Sequence, residues 1–154
     1  MDDKSRLAVP ARLIPALREL SGIEEKEQIE VVVTVTAQQR LGVYPRRLFM
    51  EMIERLEQAA HDDQDVADLR ITLLNNMDEQ CLDKQNRFRV PAAYAHAFKL
   101  SGEVIVLGSG EFLEVVNKEV WQRQLAERMS EMPNKLRAAS MYIGPGKNKE
   151  AREK

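Results

Sequence analysis

Two nine-residue stretches of this chain repeat one another, and a duplication restricts the possible folds more than any composition does. Asp2-Asp3-Lys4-Ser5-Arg6-Leu7-Ala8-Val9-Pro10 returns 81 positions later as Asp83-Lys84-Gln85-Asn86-Arg87-Phe88-Arg89-Val90-Pro91. Both read Asp-x-x-x-Arg, an apolar residue, a variable residue, then Val-Pro. One structural unit has been copied, and whatever the loop does is presented twice.

The likeness extends well past the motif. Leu13, Ala16, Leu17 and Leu20 follow the first Pro, and Tyr94, Ala97, Phe98 and Leu100 follow the second, at helical spacing. Each run ends in Ser-Gly, at Gly22 and Gly102, where a helix C-terminus favours a residue tolerant of positive φ. Pro10 and Pro91 suit the first turn of such a helix. The β-branched runs Val31–Val35 and Val104–Leu107 read as strands, and a second strand follows each, Arg40–Tyr44 and Phe112–Val116. Gly108-Ser109-Gly110 fits a hairpin turn; Ala37-Gln38-Gln39 is a less obvious one. A closing helix begins at Pro45 in one half and, capped by Asn117, in the other. Val31, Val33, Val35, Val104, Val106, Phe112 and Val115 are expected in a shared core, because one hairpin of about 70 residues buries too little apolar area alone. Met77–Leu82 reads as a strand entering the second motif; the first half has only Met1 in that place.

The chain has 154 residues, 44% of them hydrophobic, enough for one core. No apolar run approaches the ~18–20 residues that span a bilayer, and the Asp-Asp-Lys start carries no signal-peptide pattern. The single cysteine, Cys81, excludes an internal disulfide framework and fits a reducing compartment. Net charge is −2, which argues against a uniformly basic nucleic-acid binder. Its distribution is uneven. Residues 51–80 hold nine acids and two bases, so −7, and the rest of the chain is +5. Residues 83–99 carry +3 and residues 134–154 carry +4. The segment 58–68 reads as a solvated acidic linker and the tail Gly144–Lys154 as disordered.

The repeated motif has two readings. In one, Asp accepts hydrogen bonds within a tight loop and pairs with the Arg four residues on, and nothing more. In the other, the loop faces an anion. Arg offers planar, bidentate donors suited to phosphate or to guanine O6 and N7. Lys4, Lys84, Arg89 and Arg12 lie near enough in sequence to add phosphate contacts, and Asp2 and Asp83 would orient Arg6 and Arg87. Duplication copies a fold signature and a binding loop alike, so the repeat does not decide between them. Asn86 reaches the left-handed backbone region more easily than Ser5, so the first loop is expected to be the poorer copy. Catalytic patterns are thin. His61 and His96 are 35 residues apart with no metal-ligand spacing around them, and there is no His-Glu-x-x-His, Cys-x-x-Cys or Gly-rich phosphate loop. No enzyme, metal or cofactor is expected. Phe49 and Trp121 occupy equivalent positions on the closing helices and read as core packing.

The doubled motif resembles the MraZ family, bacterial transcription regulators built from two AbrB-like (SpoVT-AbrB) halves. The family's hallmark is a repeated Asp-x-Lys-Gly-Arg-Leu-x-Val/Ile-Pro. Asp2–Pro10 matches it with Ser5 in the Gly place, and Asp83–Pro91 keeps its Asp-x-x-x-Arg core with Asn86 there. Tyr44-Pro45-x-x-x-Phe49 and Val116-Asn117-x-x-x-Trp121 are also similar to the family. The resemblance covers roughly residues 2–129. It implies an α+β fold: tandem swapped-hairpin β units forming a pseudo-twofold barrel with flanking helices. The halves would be residues 1–57, lacking their first strand, and 71–130, with an acidic linker and helix at 58–70 and a basic, flexible tail at 131–154. It implies a ring-shaped homo-oligomer that binds tandem short repeats of double-stranded DNA and represses the division and cell-wall gene cluster. DNA contact would fall on Arg6 and Arg87, the protein would be cytoplasmic and nucleoid-associated, and no membrane or small-molecule ligand is implied. The alternative is an oligomeric protein-interaction module of the same fold with impaired DNA binding.

Overall fold

The computed structural model describes residues 1–143. They fall into two compact units, Met1–Lys118 and the segment from Glu119 onward.

In the first unit both repeats build the same series of elements. Strand β1 (Arg6–Ala8) leads through a 3₁₀ turn (Ala11–Leu13) to helix α1 (Ile14–Ser21). Gly22 ends that helix in the left-handed region, φ 67°, as its place after the apolar run foretold. The hairpin β2 (Glu30–Val35) and β3 (Leu41–Pro45) follows, then α2 (Arg46–Ala59). Helix α3 (Gln64–Asn75), N-capped by the Asp63 carboxylate, leads into β4 (Asp78–Cys81). The second motif supplies β5 (Arg87–Arg89) and α4 (Ala92–Ala97), then the hairpin β6 (Val104–Gly108) and β7 (Leu113–Asn117). One expectation shifts in part. Gly102 does adopt a positive φ, 82°, but Lys99, φ 52°, makes the left-handed turn that ends α4. Helix α4 is only six residues long, and the buried Leu100 folds back so that its N–H reaches the Ala95 carbonyl at 2.9 Å.

The strands combine across the repeats. Sheet order is β4-β2-β3-β7-β6, all antiparallel, and β1 pairs with β5 in a separate two-stranded ribbon. Both junctions between copies are locally twofold. In the ribbon Arg6 faces Arg89, Leu7 faces Phe88 and Ala8 faces Arg87, so equivalent residues exchange places about Leu7/Phe88. In the sheet Leu41 faces Val115 and Val43 faces Leu113 about Gly42/Glu114. The expected α+β class holds. The expected barrel does not: among the described residues the sheet is open, with β4 and β6 as its edges. The strand that enters the second motif, β4, covers β2 of the first repeat. The equivalent β6 has no strand on its outer side among the described residues.

Strand β2 is covered on both faces, which is why it reads as a continuous apolar run and not as alternation. Val31, Val33, Leu41, Val43, Val106, Leu113 and Val115 point to one core, with Leu17, Phe88, Val90 and Leu100 closing it. On the opposite face Val32 packs with Phe49, Ile53 and Leu73 from α2 and α3. Of the core predicted from sequence, Val35, Val104 and Phe112 are only half-buried; Phe112 stacks on Tyr44 with centroids 4.6 Å apart.

A polar cluster lies where the two hairpins meet. Glu114, 4% exposed, receives Arg40 Nη1 at 2.9 Å, the Thr36 hydroxyl at 3.0 Å and the Ser109 hydroxyl at 3.1 Å. Gly42 makes room for this arrangement: a Cβ there would stand 2.7 Å from both Thr36 Cγ2 and the Tyr44 ring. Burial, then the nearby Glu114 charge, pushes the Tyr44 phenol up to about 12.

In the second unit, α5 (Lys118–Ala138) is followed by the short α6 (Ser140–Ile143). No residue of α5 is buried, and Pro133 lies within it. The Arg128 guanidinium stands 5.5 Å from the Trp121 ring centroid. The residues from Gly144 that the sequence suggested to be disordered lie outside the described ones.

Glu114→Ala should lower unfolding free energy by about 3–5 kcal/mol in urea denaturation, because it removes the carboxylate facing the buried Arg40 guanidinium. The pair Arg40→Met/Glu114→Leu should recover most of that loss. A Glu114→Ala effect below about 1 kcal/mol would show that the pair does not hold the hairpins together.

Candidate nucleic-acid interface

The two motif loops have one geometry. In the first, Asp2 Oδ1 accepts from the N–H of Lys4 (3.1 Å) and of Arg6 (2.8 Å), and Oδ2 accepts from Arg6 Nε (2.9 Å). In the second, Asp83 Oδ1 accepts from the N–H of Gln85 (2.8 Å) and of Arg87 (3.0 Å), and Oδ2 from Arg87 Nε (2.8 Å). The backbone bonds match as well: Ser5 N–H to the Asp2 carbonyl and Asn86 N–H to the Asp83 carbonyl. The carboxylate replaces the backbone as acceptor through the turn, which explains why Asp is the residue repeated there.

Ser5 and Asn86 both lie in the left-handed region, φ 57° and 54°. The first loop is therefore not distorted by its serine; it adopts the same turn at a larger backbone cost. The loops also lock each other. Val9 N–H bonds the Asn86 carbonyl at 2.9 Å, and Val90 N–H bonds the Ser5 carbonyl at 2.8 Å.

Strand alternation then sorts the side chains. Leu7 and Phe88 point to the core. Arg6, Ala8, Arg87 and Arg89 share the opposite face of the β1–β5 ribbon. Arg6 and Arg87 are each half-buried, with side chains 30% and 24% exposed. Arg87 Nη1 comes within 3.7 Å of Asp2 Oδ2, so the two Asp–Arg pairs form one network across the ribbon. Lys4 and Lys84 are exposed at equivalent places in the two loops, Arg89 is exposed on β5, and Arg12 is exposed on the 3₁₀ turn beyond the ribbon. A shallow depression of about 420 Å³ is lined by Arg6, Arg87, Arg89, Asp78, Gln80 and Asp83 among others. Each guanidinium has five N–H donors and its aspartate engages only part of them, so the arrangement fixes a planar donor group at a surface. That is the physical requirement for recognising a phosphate or a base edge.

Both aspartates are held below the ordinary carboxylate value. For Asp2 the Arg6 N–H is the largest influence. For Asp83 partial burial raises the value, but the Arg87 N–H and guanidinium bonds outweigh it.

Gln80 is a site residue that the sequence did not reveal. Its Oε1 accepts from the Arg89 N–H at 2.7 Å and its Nε2 donates to the Arg89 carbonyl at 2.8 Å, clamping β4 to β5 just under the Arg89 side chain. A glutamine in a short polar strand carries no sign of that role. Among the described residues no group of three His, Cys, Asp or Glu side chains could hold a metal.

The sequence is similar to a known group of proteins. A family model described as MraZ protein, antitoxin-like, matches residues 73–142. The chain is 30% identical over 141 residues to the transcriptional regulator MraZ of Corynebacterium kroppenstedtii, covering 92% of each. It is 31% identical to the MraZ regulator of Mycolicibacterium smegmatis, over 79% of this chain and 78% of the relative. Against that of Nocardia farcinica it is 31% identical over 82% of each. The class the fold defines is thus a duplicated α+β protein with two Asp–Arg loops on one ribbon. The chain belongs to the MraZ family.

Two outcomes follow from the loop geometry. Ser5→Gly should raise stability by about 0.5–1 kcal/mol, since relief of the left-handed strain exceeds the entropic cost of glycine; Asn86→Gly should gain less. Thermal melting checks both. Lowered carboxylate values mean that the Asp–Arg pairs contribute fully above the unfolded value of 3.8 and lose that contribution only as pH falls through the lower folded values. The Arg6 and Arg87 Hε signals in NMR should therefore persist at pH 5 and still be present at the ordinary carboxylate value of 3.8, disappearing only at lower pH; loss of both by pH 5 would contradict this.

Proposed function

We propose that the chain is a DNA-binding transcription regulator whose contact surface is the β1–β5 ribbon. The observation that carries this reading is the placement of Arg6, Arg87 and Arg89 on one exposed face, with Arg6 and Arg87 each oriented by its own aspartate. An arginine held in a fixed plane can offer paired donors to guanine O6 and N7, while Lys4, Lys84 and Arg12 would meet phosphate. The relatives named as transcriptional regulators support the same reading. Following the family resemblance, the role is repression of the division and cell-wall gene cluster through tandem short repeats. The protein would act as a cytoplasmic, nucleoid-associated ring.

Net charge of −2 favours many weak contacts over one strong one. A homo-oligomer supplies that multiplicity, and the β6 edge, which no strand pairs with among the described residues, is a place where strand pairing between copies would satisfy backbone groups. One observation favours the second reading, an oligomeric interaction module with impaired DNA binding: Asp2 and Asp83 neutralise the two arginines they hold.

A gel shift on the DNA upstream of the chain's own gene separates the two. Arg87→Ala should weaken specific binding by about 1–3 kcal/mol. Arg6→Ala should match it, because the two loops have one geometry. Lys84→Ala should cost less and act alike on all sequences, as a phosphate contact does. Unchanged binding in Arg6→Ala/Arg87→Ala would transfer the DNA contact elsewhere and favour the interaction module.

A further inference from the structure

Three arginines and one alanine make up the outer face of the β1–β5 ribbon. Each arginine has the outward edge of its backbone held by a side chain. Asp2 Oδ1 takes the Arg6 N–H at 2.8 Å, Asp83 Oδ1 takes the Arg87 N–H at 3.0 Å, and Gln80 Oε1 takes the Arg89 N–H at 2.7 Å. Gln80 Nε2 also holds the Arg89 carbonyl at 2.8 Å. Ala8, the counterpart of Arg89 in the first repeat, has no such partner among the described residues. The two aspartates go on to bind the guanidinium they support. Glutamine is neutral and stops at the backbone. The Arg89 side chain therefore springs from a fixed point, and among the described residues no acid pairs with its guanidinium. Asp78, in the same depression, is bonded instead by Gln80 Nε2 at 2.7 Å.

We propose that Arg89, on a ribbon that binds DNA as proposed above, is a third base-reading arginine and takes a guanine beside the base pair that Arg6 addresses. Arg89 faces Arg6 across the ribbon. The neighbouring Val90 N–H bonds the Ser5 carbonyl, so Arg6/Arg89 is a non-hydrogen-bonded pair, in which Cα atoms stand about 4.5 Å apart. Bases of one strand follow one another at about 3.4 Å. Two guanidinium groups rising from that pair on one face reach adjacent steps. Like charges directly opposite each other are unfavourable in the free ribbon, and the acceptors O6 and N7 of a guanine relieve them. A backbone phosphate would do so too, but it tolerates a loose side chain, such as the exposed loop lysines Lys4 and Lys84. Reading a base edge needs a donor fork rooted on a rigid element, and the Gln80 clamp supplies that root. At the other end of the ribbon Ala8 stands opposite Arg87 and offers no donor. Recognition thus extends one base pair further beside Arg6 than beside Arg87.

Methylation interference on the DNA upstream of the chain's own gene tests this, because a methyl group on guanine N7 blocks the contact. In the full chain, Arg89→Ala should erase interference at one guanine next to the one that Arg6→Ala erases, and should weaken binding by about 5- to 150-fold. Arg89→Lys keeps the charge but not the planar fork, so it should lose the same guanine while binding unrelated DNA as before. Both variants should melt with the parent chain, since Arg89 is exposed. If Arg89→Ala leaves every guanine interfering, and instead lowers the salt slope by about one and silences one ethylated phosphate, Arg89 is a backbone contact. That result overturns the proposal and leaves Arg6 and Arg87 as readers. Full guanine interference in Arg89→Lys overturns it as well. Interference at no guanine in the unaltered chain, or no binding at all, refutes base reading by Arg6 and Arg87 together with that by Arg89.

Discussion

Among the described residues, strands β1 and β5 have no hydrogen-bonded strand partner but each other. Each is three residues long, too short to persist alone. Everything at the candidate interface depends on that mutual support. The turn around Ser5 offers its carbonyl to Val90, and the turn around Asn86 offers its own to Val9. Phe88 and Leu7 anchor the ribbon from below. Neither Asp–Arg loop can therefore reach its working geometry before both copies are made and brought together, although they are separated by most of the chain.

The larger sheet follows the same plan with a different economy. Strand β4 belongs by sequence to the second repeat but lies against β2 of the first, and β3 meets its counterpart β7. The halves are interleaved rather than stacked, so the apolar core is common property. This non-local pairing closes long loops before it gains much contact, an ordering that slows folding.

Much of this was legible from the residues. The motif repeat located both Asp–Arg loops, and β-branched runs located the first strand of each hairpin, with the second strand following it. Gly22 marked a helix end. What could not be read was pairing across the repeats. Nothing in Asp78–Cys81 names Val31–Val33 as its neighbours, because a strand's partner is decided by the whole core and not by local pattern. The closed barrel was expected by analogy and the sheet is open. Nothing in the sequence pairs Arg40 with Glu114; their burial follows from a hairpin-to-hairpin contact separated by 74 positions. Lys99 joins Gly102 in the positive-φ region because α4 ends early, and propensity alone gives no such length. At the interface, aspartate and arginine roles followed from spacing, while Gln80 acquired its role only through the fold.

The local twofold at Gly42/Glu114 shows what covalent duplication permits. In a dimer of two identical halves, the residue on such an axis would face itself. Glutamate there would set carboxylate against carboxylate, and glycine would leave neither side a polar group to share. Fusing the copies frees the two axis positions to differ. One has become the small residue over which Thr36 fits, and the other the acid that Thr36, Arg40 and Ser109 all address. The same freedom separates Leu7 from Phe88 and Ala8 from Arg89. Divergence at the axis is a record of how far the halves have specialised: each is now fitted to the other and would no longer fit a copy of itself.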